Sequence, residues 1–137
     1  MAVTITGRYL GNLKMELEHG PSGSRLVTAA PTDNMGDGSS FSPTDLVAAA
    51  IGACMITTMG IVATRHGIDL GATHFRVEKH MTTEAPRRIA ALPVAIHAPA
   101  AWTAEQRQLM ERTAHTCPVH RSLIPEVDKP VVFVYDL

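Results

Sequence analysis

Cysteine is scarce in this sequence: Cys54 and Cys117 are the only two. So small a number excludes a disulfide-dense scaffold, and in a reducing compartment such a pair reads as free thiols, metal ligands or a redox couple. An excess of charge is also missing. The 12 Lys and Arg against 13 Asp and Glu leave a formal charge of −1, and the basic residues are scattered. That balance lacks the electrostatic footprint of a nucleic-acid binder. The opening MAVTITGRYLGN has no basic region followed by an apolar core. No secretion signal is therefore expected, and the cytoplasm is the expected compartment. Internal repeats, low-complexity segments, a Gly-rich phosphate loop, a Ser-His-Asp set and paired carboxylates are absent as well.

What is present suffices for a real core. A 45% hydrophobic content in 137 residues fits one domain spanning 1–137. The chain is organised around the stretch SPTDLVAAAIGACMITTMGIVATRHG, Ser42 to Gly67. Ser42, Pro43 and Asp45 have the form of a helix start, with a Ser cap, proline at the first helical position and an acid able to return the capping bond. Arg65, His66 and Gly67 mark the far end. Between them Leu46, Val47, Ile51, Met55, Ile56, Met59, Ile61 and Val62 leave no polar stripe, so the helix is expected to be buried nearly all round. In a chain this short such burial requires a wrapping sheet and a partner subunit. The uncharged run Leu46 to Ala63 is also long enough for a membrane span. Its Ala, Gly and Thr content and lack of an aromatic belt favour a soluble core helix instead.

The rest alternates as strands do. Val3 and Ile5, then Leu13, Met15 and Leu17, form two half-buried strands separated by the Gly7 to Gly11 region. His19 to Ser24 is a hairpin turn and Arg25 to Ala29 a third strand. Pro31 to Phe41, rich in Gly, Asp and Ser, is an exposed loop. A fourth strand runs from Phe75 to about Thr83, and a fifth from Ile89 to Ile96 is interrupted by Pro93. Thr103 and Gln106 repeat the capping signature and open a second helix over Ala104 to Thr116. Leu109, Thr113 and Cys117 follow at i+4 steps on its buried face. Val131 to Tyr135 reads as a central strand.

Two cysteines on the expected buried faces of two helices read, from composition alone, as small core hydrophobes, which is what a free buried Cys usually is. His115, Cys117 and His120 form an H-x-C-x-x-H cluster that a soft or borderline metal could use, although the spacing is not an established zinc pattern.

The run SPTDLVAAAIGAC ending at Cys54 and the segment Cys117-Pro118-Val119-His120-Arg121-Ser122-Leu123 resemble the two signature regions of the OsmC/Ohr family of thiol peroxidases. The order of strands and helices resembles that family over nearly the whole chain. The resemblance implies an α+β fold, with antiparallel sheets packed on a long buried central helix in an intertwined homodimer. It implies Cys54 as the peroxidatic thiol, oxidised to a sulfenic acid, and Cys117 as the thiol that resolves it through an intramolecular disulfide. No metal or organic cofactor is implied. The substrate would be an organic hydroperoxide, and the reductant a dithiol or lipoyl-type partner, with His120 and Met55 lining the substrate pocket. An apolar pocket would favour alkyl or fatty-acid hydroperoxides. A non-enzymatic small-molecule or lipid binder on the same fold is the alternative.

A peroxidatic sulfur has to be a thiolate, and Cys54 lies about three turns into its helix, beyond the reach of the helix dipole. The family supplies a cation from an N-terminal arginine held by an acid at the start of the central helix. Arg25 and Arg8 are the candidates here, with Arg25 preferred because its strand ends near the Gly-rich loop. Asp45 is the available acid, but at the position of the family's glutamate this chain has Thr44. At about 100° per residue, Asp45 and Cys54 fall on opposite sides of one helix, which suits Asp45 to capping or to a site in another subunit.

Overall fold

The Ser42 and Thr103 caps predicted from sequence both form, and they fix the starts of the two long helices. In the computed structural model, which describes residues 1–137, helix α1 runs over Pro43–His66. The Ser42 N–H donates to Asp45 Oδ2 at 2.9 Å, and the Asp45 N–H donates to Ser42 Oγ at 3.1 Å. This reciprocal pair satisfies two donors that the first helical turn cannot. The helix stops at Gly67, whose φ of 64° is the left-handed conformation that ends helices.

The chain forms two compact units, Met1–Val47 and Ala48–Leu137. The first is an antiparallel meander of β1 (Ile5–Gly11), β2 (Lys14–His19) and β3 (Arg25–Ala29), followed by a short 3-10 turn at Thr32–Asn34. The expected break at Gly7 to Gly11 is not there. β1 continues through it, and the reversal falls on Asn12 and Leu13, with φ of 54° and 61°. Two consecutive positive φ values are the signature of a tight hairpin turn whose twist matches its strands. Leu13 gives no local hint of this, because by hydropathy it belongs to the alternation of β2. Register pairs Gly7 with Leu17 and Leu17 with Leu26, so one face carries Ile5, Tyr9, Met15, Leu17 and Leu26 and the other Arg8, Glu16, Glu18 and Arg25. Ile5, Tyr9 and Leu26 are exposed.

In the second unit, β4 (His74–Val77), β7 (Val94–His97) and β8 (Val131–Val134) form one sheet in the order β4-β7-β8, and β5 (His80–Met81) pairs with β6 (Ile89–Ala91). β4 and β7 are antiparallel, whereas β7 and β8 are parallel. Parallel neighbours need a crossover, and here it contains α2 (Ala104–Ala114) and the one-turn α3 (Pro118–Ser122). Pro93 divides the expected fifth strand into β6 and β7, since proline cannot donate to a ladder. The Val131 to Tyr135 run is not central as expected. It is an edge strand paired only to β7, with Val132 exposed. A β-branched run favours strand but does not say how many neighbours the strand has.

Val94 and Ile96 of β7 face the core with Met55, Met59, Leu92 and Met110, all at most 2% exposed. Within α1 the buried positions are Ala48, Ile51, Gly52, Met55, Met59 and Ala63, a single stripe at steps of three and four. Ala53, Thr57 and Ile61 are exposed, so one chain does not bury the helix all round. The helix is long and apolar enough to cross a membrane, a property shared by core helices of soluble proteins, and 33% of its most apolar window is buried. Gly52 sets how closely β4 approaches it. A Cβ there would stand 2.2 Å from Cδ2 of Phe75, so only glycine fits beneath that ring without displacement.

Candidate active site

Both cysteines lie in the second unit, where α1 presents Cys54 and the crossover presents Cys117. Both are free thiols, Cys54 half-buried and Cys117 fully buried. Cys54 is mid-helix, and its carbonyl accepts both the helical ladder and the Thr58 hydroxyl, the latter at 2.8 Å. Its backbone position is therefore fixed by regular structure on either side.

Cys117 is held differently from the sequence expectation. α2 does not reach Thr116. It ends at Ala114, with His115 as its C-cap, and the Thr116 hydroxyl turns back to the Thr113 carbonyl at 2.7 Å. Cys117 then caps α3, its sulfur accepting the His120 N–H at 3.2 Å, with Pro118 at the first helical position. α3 was not expected. The signal for it was Pro118 following a side chain able to accept a bond, the same arrangement that opens α1.

Burial is the main influence on the Cys117 thiol and pushes its pKa above the ordinary value of 9.0. The neighbouring Cys54 raises it further, against the His120 and Val119 peptide N–H groups, which lower it. Cys117 is consequently a protonated thiol near neutral pH, and the Cys54 side chain is among the groups that act on it.

The remaining predicted residues fall in several places. His120 is half-buried, packed edge-on against His115 with ring centroids 5.7 Å apart. Its pKa is lowered first by burial, then by Lys129 and His115, so the imidazole is neutral at pH 7. Met55 is fully buried on the core stripe of α1. In the first unit Arg8 pairs with Glu16 at 3.1 Å and Arg25 with Glu18 at 3.4 Å, all on one face of the meander. Asp45 caps α1 as described. The H-x-C-x-x-H cluster does not converge: His115 Nδ1 donates to the Glu111 carbonyl at 2.8 Å, and nowhere do three His, Cys, Asp or Glu side chains gather into a metal-holding group.

Comparison with known proteins identifies the family and the fold. The family model for OsmC-like proteins matches residues 36–129. A protein from Psychrobacter arcticus 273-4, provisionally described as an osmotic stress induced and detoxification response protein, is 34% identical. The match covers 98% of this chain and 97% of that one, with a TM-score of 0.91. The organic hydroperoxide resistance protein OsmC of Legionella pneumophila is 21% identical over 97% of this chain and 96% of that one, with a TM-score of 0.74. An organic hydroperoxide resistance protein from Elizabethkingia anophelis, with crystallant-derived thiocyanate bound, is 16% identical over 99% and 97%, with a TM-score of 0.79. At these lower identities the likeness is one of fold, a mixed α+β architecture. No curated protein matches the sequence. The family model and the 34% identical relative place this chain in the OsmC-like protein family.

Proposed function

We propose that this protein is a cysteine-based peroxidase that reduces organic hydroperoxides through Cys54 and Cys117. The observation that supports the reading is the pairing itself: the chain's only two cysteines, both free thiols, Cys54 half-buried and Cys117 buried with Cys54 among the groups acting on it, on a fold shared with hydroperoxide-resistance proteins. In the proposed reaction the Cys54 thiolate attacks an oxygen of the hydroperoxide and the O–O bond breaks. The alkoxide leaves as the alcohol after taking a proton, and Cys54 becomes a sulfenic acid. Cys117 then attacks that sulfur, its proton and the sulfenic hydroxyl leave as water, and a Cys54–Cys117 disulfide forms. A dithiol or lipoyl-type reductant returns both thiols by exchange. The chemistry uses no metal or organic cofactor, and the cytoplasm is the proposed setting.

His120 and Met55 are proposed to line the substrate pocket, Arg25 to supply the cation that stabilises the thiolate, and Asp45 to assist while capping its helix. The single domain is proposed to act as an intertwined homodimer. The exposed Ala53, Thr57 and Ile61 on α1 and Ile5, Tyr9 and Leu26 on the meander are apolar or uncharged surfaces that a second copy would cover.

Reduced protein given cumene hydroperoxide should lose both thiols together. Cys54→Ser should abolish peroxide consumption, while Cys117→Ser should allow one turnover and leave a dimedone-reactive sulfenic acid on Cys54. Arg25→Ala should slow the first step with both thiols intact. Unchanged consumption in both cysteine variants would leave a non-enzymatic binding protein as the better account.

A further inference from the structure

On the outward face of the β4-β7-β8 sheet, away from the two thiols in sequence, strand register sets His74 directly opposite His97. Their rings stack with centroids 4.8 Å apart and planes 4° from parallel. Each ring is held through the same nitrogen. His74 Nδ1 meets the Ala72 carbonyl at 3.1 Å, and His97 Nδ1 meets both oxygens of Asp136 at 3.0 Å. A carbonyl or an ionised carboxylate can only accept, so Nδ1 is the N–H of each ring. In the neutral form that leaves a lone pair on both Nε2 atoms. An imidazole whose Nδ1–H is anchored to a carbonyl or carboxylate, leaving Nε2 bare, is the arrangement in which histidine ligates metals.

The surroundings allow an ion to approach. His74 is exposed and His97 half-buried. The nearest cationic side chain on the same face of β4, Arg76, is paired with Glu78 at 2.7 Å. Two Nε2 atoms on one ion at about 2.1 Å each stand at most about 4.2 Å apart. From the 4.8 Å stacked separation the ring tips therefore have to close by at least about 0.6 Å, and the two near-parallel planes have to tilt toward each other so that both in-plane lone pairs meet one ion, a side-chain rotation open to exposed His74.

We propose that His74 and His97 form a cross-strand, two-imidazole site for a borderline divalent transition-metal ion, with Asp136 positioning His97 and water filling the other coordination places. Imidazole donors favour copper(II) over nickel(II) and zinc(II). Asp136 is spent on Nδ1, which is why the group offers two ligands and not three. The site is independent of the peroxidase reading.

Nickel(II) is the suitable probe, because copper(II) would react with the free thiols. Reduced full-length protein is titrated calorimetrically with nickel chloride, while long-range ¹H–¹⁵N spectra follow each imidazole. Broadening at substoichiometric nickel is expected first at His74 and His97. His74→Ala and His97→Ala should each weaken the site at least tenfold, on a solvent face where truncation leaves the fold intact by circular dichroism. His19→Ala, another exposed histidine, should change nothing. Asp136→Asn should weaken binding by about tenfold or more and shift the His97 ¹⁵N pattern toward mixed tautomers, which loss of a merely structural contact would not do. Broadening centred on His115 and His120, or equal affinity in the wild type and both alanine variants, overturns the proposal. An unchanged tautomer pattern in Asp136→Asn removes Asp136 from it.

Discussion

Replacing Gly52 by alanine should destabilise the protein even though alanine is the better helix former. A Cβ at Gly52 would lie 2.2, 2.3 and 2.7 Å from Cδ2, Cε2 and Cγ of Phe75. Ordinary carbon contacts stand at about 3.5–4.0 Å, so the ring has to retreat by more than about an ångström. Cγ is close to the backbone of β4, which means rotation of the ring alone does not relieve the clash. The gain in helix propensity is about 1 kcal/mol, and overpacking costs about 1–3 kcal/mol. The net expectation is a loss of up to about 2 kcal/mol. In a Phe75→Ala background the space opens, and the same substitution should be stabilising by about 1 kcal/mol. The coupling between the two sites is thus about 1–3 kcal/mol. Urea unfolding of the four proteins, with m-values held common, measures it. A higher midpoint for Gly52→Ala alone, or a cycle additive within about 0.5 kcal/mol, would refute the close-approach argument. Cys54 lies on the same helix one half-turn away, so thiol loss with cumene hydroperoxide should also slow in Gly52→Ala.

Two further outcomes follow from the same geometry. Cys117 and Tyr135 both have raised pKa values, mainly through burial, so the folded state favours their neutral forms. The stability this confers is complete below the unfolded pKa of each group and is lost as pH rises through the higher folded value. Denaturation midpoints should therefore fall from about pH 9 upward, and Cys117→Ala should flatten the first part of that fall while leaving the part due to Tyr135. Ser42→Ala removes the acceptor for the Asp45 N–H and should cost about 1 kcal/mol, read as a lower urea midpoint at unchanged m-value.

The helix starts were legible because capping is local. Ser42 with Asp45 and Thr103 with Gln106 are three residues apart, and the bonds they make are decided within one turn. Gly67 was legible for the same reason. Leu13 was not, since its positive φ comes from the hairpin geometry and its hydropathy points to a strand. The edge position of Val131–Val134 depends on which strands find each other across the chain, information that a β-branched run does not carry. Of the site, both cysteines stood out by their rarity and by the segments around them. The capping role of Cys117 escaped because the i+4 spacing from Leu109 and Thr113 suggested a longer α2. His74 and His97 were invisible as a pair, as only the β4–β7 register makes them neighbours.

The parallel pairing of β7 with β8 has a consequence for how the chain reaches its native state. Parallel strands cannot be closed by a short turn, so residues 98–130 must be looped out before the last strand can pair. Contacts of this range slow folding, because loop-closure entropy is lost before the ladder forms. Cys117 lies inside that loop. Until β8 pairs with β7, the crossover that carries Cys117 is anchored to the sheet at one end only. The strand that closes the sheet thereby also completes the anchoring of the segment that holds Cys117.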